Sequence, residues 1–550
     1  CVNTNTSKTF PEGTTLMEML PEFDFERPYP ILCAKVNNVS QGLKYRAFNS
    51  RQVEFLDYTS YLGRSVYCSS LCFLLCKAAL DVFPECKIVL RRPISKGYFC
   101  AIDKKDGTAL VQADVEKINL RMEEIVRQDM PFRRHEVRTE EAIEMFAAKG
   151  YHDKVRLLQT AGDVYVNYYT LDGTPDHYYE ALLPSTGYLK LWNLTMYRDG
   201  LLLRVPDRHH PEELAPFCEQ PKTFEVFSEN LKWNRIMGLD NVGDVNLACQ
   251  RGETGDLIKI AEALQEKKIV QIAEEIERRV NDPEKPVRLV LITGPSSSGK
   301  STFCKRLSIQ LKACGIRPVS FSTDDYFVNR LDTPRLPNGE FDFDNFETVD
   351  HRYLQSDVMK LLAGEEVDVP EYNFVTGLRE FNGKKLKLEP GSILIIEGIH
   401  ALNDMITDSH PDAFKLYISA RSHVMYHGQI AFKNTWFRLV RRMVRDYKFR
   451  NSAPEETLSM WANVRRGEKA NISPFKGKAN YQFDSSLPYE IAVMNETATK
   501  LFQQIPEGIE RYDELKQVLP ALQLFGVIDE KYVAEDALIR EFIGGGIYDY

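Results

Sequence analysis

Eight residues, Gly294-Pro-Ser-Ser-Ser-Gly299-Lys300-Ser301, have the spacing GxxxxGKS, and gripping a phosphate is the chemistry this order of residue types can do. Glycines let main-chain N–H groups close around phosphate oxygens, and a helix starting at the lysine adds roughly half a positive charge. The expected cradle comprises Gly294, Ser296, Ser297, Ser298, Gly299, Lys300, Ser301 and Thr302. Lys300 would neutralise the β- and γ-phosphates of ATP, and Ser301 would offer a hydroxyl to Mg²⁺. The flanks fit: residues 287–293 read as a buried strand, and Phe303, Leu307 and Leu311 repeat at helical spacing before Gly315.

A cradle specifies nucleotide binding but not a reaction, so its partners must come from other strand ends. Five apolar runs, 287–293, 318–322, 393–396, 414–419 and 489–494, suggest a doubly wound parallel α/β sheet, whose ligands lie beyond the strand C-termini. Thr323-Asp324-Asp325-Tyr326 follows the second run and Glu397-Gly398 the third. Glu397 is expected to hold Mg²⁺ directly or through water, and Asp324 to take or orient the proton of an attacking hydroxyl. Over 437–450, Arg438, Arg441, Arg442 and Arg445 share a helical face opposite Leu439, Val440, Met443, Val444 and Tyr447. One side should pack, and the cationic side should form a mobile lid over the transferring phosphoryl group.

Together GPSSSGKST, STDDYF, FDFDNFETVD, YNFVTGLR, ILIIEGIHAL and RLVRRMVRD, in that order between about 286 and 498, resemble the uridine/cytidine kinase family of the phosphoribulokinase-like group. The resemblance implies a P-loop nucleoside kinase with Asp324 as general base, Asp344 on the ribose hydroxyls, Tyr372 beside the substrate and Glu397 on the metal side. It implies Arg442, Arg445 and Arg450 as lid arginines. Two positions depart: Gly377 stands where the family has a base-contacting histidine, and Ser452 where it has another lid arginine. Glycine cannot read a base, so the preference for uracil or cytosine weakens and a purine nucleoside becomes admissible.

In the first half, PEGTTLMEML, AKVNN and VEFLDY resemble the TGS domain of threonyl-tRNA synthetases, a small β-grasp module, and Thr15 and Glu18 have capping-box spacing. MEEIVRQDMPFRRHEVRTEEAIEMFAAKG and LPSTGYLKLW resemble the α+β second domain of those enzymes. Its editing-site ligands would align with Ser69, Phe73, Tyr178 and Leu182, none an imidazole or thiol, so packing without editing chemistry is expected. RNA contact stays open beside a structural or regulatory role. The implied organisation is a TGS-like domain over 1–60, an editing-type domain over 61–205, a helical connector over 206–282, the kinase domain over 283–500 and a helical segment over 501–550. In the last, 512–522 and 532–543 read as amphipathic helices ended by Gly544-Gly-Gly546.

At 550 residues and 43 % apolar content the chain suits about three or four domains. A net charge of −9 disfavours a whole-surface attraction to nucleic acid or anionic membrane. There is no run of about 18 uncharged apolar residues and no basic-then-apolar leader, so a cytoplasmic protein without a membrane partner is expected. The lack of an initiator methionine is read as a few missing leading residues, with Cys1 as a lipid anchor a minor alternative. Eleven cysteines include no CxxC pair, and Cys68, Cys72 and Cys76 recur on one helix face, which reads as buried thiols. His209-His210 reads as an exposed loop without chemistry. Two other functions stay open: a nucleotide-gated RNA-binding or regulatory protein, and a sugar or sugar-phosphate kinase. A homo-oligomer is also left open.

Overall fold

The computed structural model describes residues 1–549 apart from 179, 240, 338, 422, 423, 427, 428 and 507–511. The chain divides into two compact units, residues 1–221 with 425–430, and residues 222–424 with 431–550.

The first unit begins with a three-stranded antiparallel sheet in which Ile31–Val36 lies between Val39–Gly42 and Val53–Asp57. Leu16, Phe23, Ala34 and Phe55 form its core. The Thr15 hydroxyl accepts from Glu18 N at 3.3 Å and Glu18 Oε2 accepts from Thr15 N at 2.8 Å, closing the capping box its spacing predicts. The helix Tyr61–Val82 is long and apolar enough to cross a membrane, but it carries Arg64, Lys77 and Asp81, and 67 % of its apolar window is buried inside the protein. Its Cys68 and Cys72 are buried free thiols.

The second unit is built on a parallel sheet of β1 (Leu289–Thr293), β2 (Arg317–Ser322), β3 (Ser392–Glu397), β4 (Phe414–Ser419) and β5 (Tyr481–Asp484), in the order β2-β3-β1-β4-β5. β1 and β3 are near-continuous apolar runs because both sheet faces are covered, by cores around Leu291, Leu394 and Ile396 on one side and Val290, Ile292 and Ile395 on the other. The helix α1 (Lys300–Ala313) follows β1, and α2 (Asn434–Phe449) follows β4.

Two sequence expectations fail. Residues 489–494 are not a strand: Glu490–Gln503 is the helix α3, and β5 comes from Tyr481-Gln-Phe-Asp. A short apolar run cannot by itself distinguish a strand from a buried helix, and Ile491, Ala492, Val493 and Met494 are buried all round the helix. Residues 532–543 do not form one amphipathic helix either, since only Arg540–Ile543 is helical before Gly544. The Arg540 guanidinium donates to the carbonyls of Glu530 at 2.9 Å and Val533 at 2.6 Å, folding the segment back on itself.

Candidate active site

The parallel register brings three polar strand ends to one edge: Glu397 pairs with Ile292 on β1 and with Ser322 on β2. Between β1 and α1 the loop turns through Ser297 (φ 58°) and Gly299 (φ 83°), left-handed conformations that glycine adopts without strain. Gly294 is required for a different reason, because a Cβ there would lie 1.9 Å from the Ile418 carbonyl oxygen. Ser297, Ser298 and Thr302 are buried, and the hydroxyls of Ser297 and Ser298 have no hydrogen-bond partner. Buried hydroxyls left unsatisfied are what a phosphate site should present to an anion.

The expected acids meet here. Ser301 Oγ donates to Glu397 Oε1 at 3.2 Å, and the Lys300 ammonium is close enough to oppose the upward shift of both Asp324 and Glu397. Burial pushes Glu397 up to about 7, with the Asp324 and Glu541 charges adding to the shift. Burial likewise raises Asp324, against Lys300, Arg450 and Arg445, and its Oδ1 has no partner. Hard oxygen donors from one hydroxyl and one or two carboxylates suit Mg²⁺, which keeps waters and phosphate oxygens in its shell rather than demanding a protein cage. Consistently, no group of three or more metal-ligating side chains exists among the described residues.

On the acceptor side, Asp344 is driven up to about 7, first by burial, with Arg442 opposing and Asp342 adding to the rise. Tyr372 is buried edge-on to Phe327 at 5.4 Å and to Phe374 at 5.1 Å. The Arg450 guanidinium lies over the Phe374 ring at 5.5 Å. At Gly377 (φ 71°) a Cβ would come within 2.8 Å of Arg330, whose main-chain N–H donates to the Gly377 carbonyl at 2.8 Å. Arg330 thus fills the space beside the position that the sequence comparison flagged.

The arginine helix α2 differs from the expected two-faced lid. Arg438 and Arg441 are buried together with Leu439, Val440, Met443 and Val444, whereas Tyr447, expected on the packing side, is exposed. Arg438 pairs with Glu468 and donates to Ser296 O at 3.2 Å. Arg441 pairs with Glu490 at 2.6 Å, donates to Ser485 O at 2.8 Å and reaches Ser297 O at 3.5 Å. These two guanidiniums hold the loop's outward carbonyls. Arg442 donates to Ser296 Oγ at 3.0 Å and pairs with Asp446 at 3.2 Å, and Arg445 pairs with the same carboxylate at 2.7 Å. Burial and the neighbouring Arg445 depress Arg450 to about 10. Asp446 as a shared partner is legible from its i+4 and i+1 spacing to Arg442 and Arg445. Glu490 as the partner of Arg441 is not, because 49 residues separate them.

Sequence reasoning gave the C-terminal segment no part in the site. Glu541 Oε2 accepts from Thr302 Oγ1 at 2.7 Å and from Thr302 N at 3.3 Å. No local signal near Glu541 marks that contact. In the first unit, the Phe73 and Tyr178 rings pack 5.3 Å apart and Leu182 is buried, so side-chain packing fills three of the four positions aligned with editing ligands, and Ser69 is half-buried.

Comparison with known proteins agrees with this division. The N-terminal region is similar to threonine–tRNA ligases. It is 28 % identical over 191 residues to that of Carboxydothermus hydrogenoformans, covering 34 % of this chain and 30 % of the ligase. With that of Symbiobacterium thermophilum it shares 29 % over 188 residues, 34 % of this chain and 29 % of the ligase. The chain therefore spans about a third of the length of these relatives. Among solved structures, one described as a possible uridine kinase from Bacillus stearothermophilus is 18 % identical, covers 40 % of this chain and 98 % of its own, and has a TM-score of 0.28. D-glycerate 3-kinase from Cryptococcus neoformans is 14 % identical over 48 % of this chain and 88 % of its own, with a TM-score of 0.21. Residues 289–488, which contain the cradle, both strand-end acids and the arginine helix, match the model of the phosphoribulokinase / uridine kinase family.

Proposed function

We propose that this chain is an ATP-dependent kinase that phosphorylates the 5′-hydroxyl of a nucleoside. The observation that carries the reading is the convergence of the Gly294–Thr302 loop, Lys300, Asp324 and Glu397 on one sheet edge. The loop amides and Lys300 hold the triphosphate, and Arg442, Arg445 and Arg450 supply positive charge around the γ-phosphoryl group. Mg²⁺, held by Ser301 and Glu397, would supply charge neutralisation between the β- and γ-oxygens. Asp324 accepts the proton of the acceptor hydroxyl as its oxygen bonds to the γ-phosphorus and the bond to the bridging oxygen of ADP breaks. Burial raises the Asp324 carboxyl, and Lys300, Arg450 and Arg445 oppose that rise toward the ionised form this step needs. Asp344 is suited to bond ribose hydroxyls, and the Phe327–Tyr372–Phe374 cluster offers ring faces and edges to a planar base. With Arg330 in place beside Gly377, base preference should differ from strict pyrimidine use.

The test is a panel of purine and pyrimidine nucleosides, sugars and sugar phosphates with ATP and Mg²⁺, quantifying phosphorylated product for the wild type, Lys300→Ala and Asp324→Asn. A nucleoside 5′-monophosphate whose formation falls at least a hundredfold in both variants is expected. Product only from sugars, or nucleoside product indifferent to Lys300, refutes the assignment. The first unit is read as a structural or regulatory module, because apolar packing occupies three of the four positions where an editing site would need ligands.

A further inference from the structure

The segment from Val533 to Asp549 packs on the nucleotide cradle. Val533, Leu538, Ile539 and Phe542 are buried, and the Leu538 side chain lies so close to Gly299 that a Cβ there would meet it at 2.7 Å. Phe542 sits 5.0 Å beneath the Arg441 guanidinium. Lys448 donates to the Ile543 carbonyl at 2.9 Å, and Lys305 on α1 donates to that of Asp549. These contacts aim Glu541 at the first turn of α1, where its carboxylate takes the N–H and hydroxyl of Thr302.

That amide is one of the unsatisfied donors at a helix N-terminus, where the partial positive charge favours an anion, and a P-loop offers such donors to phosphate oxygens. A carboxylate already seated on that amide opposes an incoming triphosphate, because two anions cannot share one anion position. We infer that the C-terminal segment is an autoinhibitory plug: Glu541 occupies an anion position of the cradle, and ATP must displace it to bind. The inference rests on the proposed nucleotide site and adds a regulation to it. The reaction is unchanged, but access to the cradle becomes an equilibrium between the protein's own carboxylate and the phosphates of ATP.

The experiment titrates full-length wild type, Glu541→Ala and Glu541→Gln with ATP by calorimetry. In parallel, amide exchange is followed over 533–549 in the wild type, with and without ATP. Loss of a charge-assisted hydrogen bond to a competing anion should tighten ATP binding about tenfold in the alanine variant, with a smaller gain in the glutamine variant. ATP should speed exchange of the Arg540 and Ile547 amides, which now donate within the segment. ATP binding of equal or lower affinity in both variants, with the segment's exchange unchanged by ATP, means that Glu541 merely caps α1, and the plug is overturned while the nucleotide site stands. Failure of every form to bind ATP removes the nucleotide-site reading and the plug with it. Because the exchange arm uses unaltered protein, the plug stays refutable even if the variants misfold.

Discussion

Arg441 and Glu490 are both fully buried, and their pairing makes a demanding prediction. The guanidinium Nη2 lies 2.6 Å from Glu490 Oε2, yet Arg441 Nε and Glu490 Oε1 have no hydrogen-bond partner. Two charges have left water and only part of their hydrogen-bonding capacity is satisfied, so their mutual attraction should barely offset desolvation. Glu490→Ala strands the guanidinium and should cost roughly 3–5 kcal/mol. At about 2 °C per kcal/mol for a large domain, the calorimetric transition of the second unit should fall by about 6–10 °C. The double variant Arg441→Met/Glu490→Leu should instead match the wild type or exceed it by about 1–4 kcal/mol. It should nevertheless bind ATP at least about tenfold more weakly, because the Ser297 carbonyl of the loop loses the guanidinium that ties it to Ser485. A single variant that costs less than about 1 kcal/mol, or a double variant as unstable as the single, refutes the account of the pair as a geometric device that stabilises little.

Glu397, with its ordinary value of 4.5 raised to about 7, keeps a proton in the folded state that the unfolded chain has released, so its contribution to stability falls as pH rises from about 4.5 to about 7. Denaturant titrations across that window should show a shallower loss in Glu397→Gln, and Mg²⁺ should stabilise the wild type more than the variant at pH 8; parallel slopes would contradict the assignment. Gly294→Ala places a methyl group 1.9 Å from a main-chain carbonyl, so the loop must move, and ATP affinity measured by titration should drop at least about tenfold with the fold retained.

The nucleotide end of the site was legible because its geometry is local: eight consecutive residues make the cradle, and Asp324 and Glu397 stand just past two of the runs read as strands. The arginine helix was legible as a helix, but burial of its cationic face was not, because Glu468 and Glu490 come from distant segments and carry no shared spacing with Arg438 and Arg441. The misassigned fifth strand had a local remedy. Ile491, Met494, Ala498, Leu501 and Phe502 continue at helical period, whereas Tyr481-Gln-Phe-Asp contains two polar residues and conceals a strand whose Gln482 and Asp484 are buried. The C-terminal segment escaped detection because tertiary contacts with α1 and α2, rather than helix propensity, decide its path.

A strand whose last residue must reach the phosphate works like a ruler with fixed graduations. In β3 successive side chains point to opposite sheet faces, and Glu397 stands at the mark level with Ile292 and Ser322. Inserting or deleting a single residue within 392–396 would move every side chain beyond it to the opposite, equally covered face and take the Glu397 carboxylate away from its mark. Changes of side chain are tolerable along that stretch where changes of length are not, so insertions and deletions among descendants of this sequence should accumulate in its loops and spare these five positions.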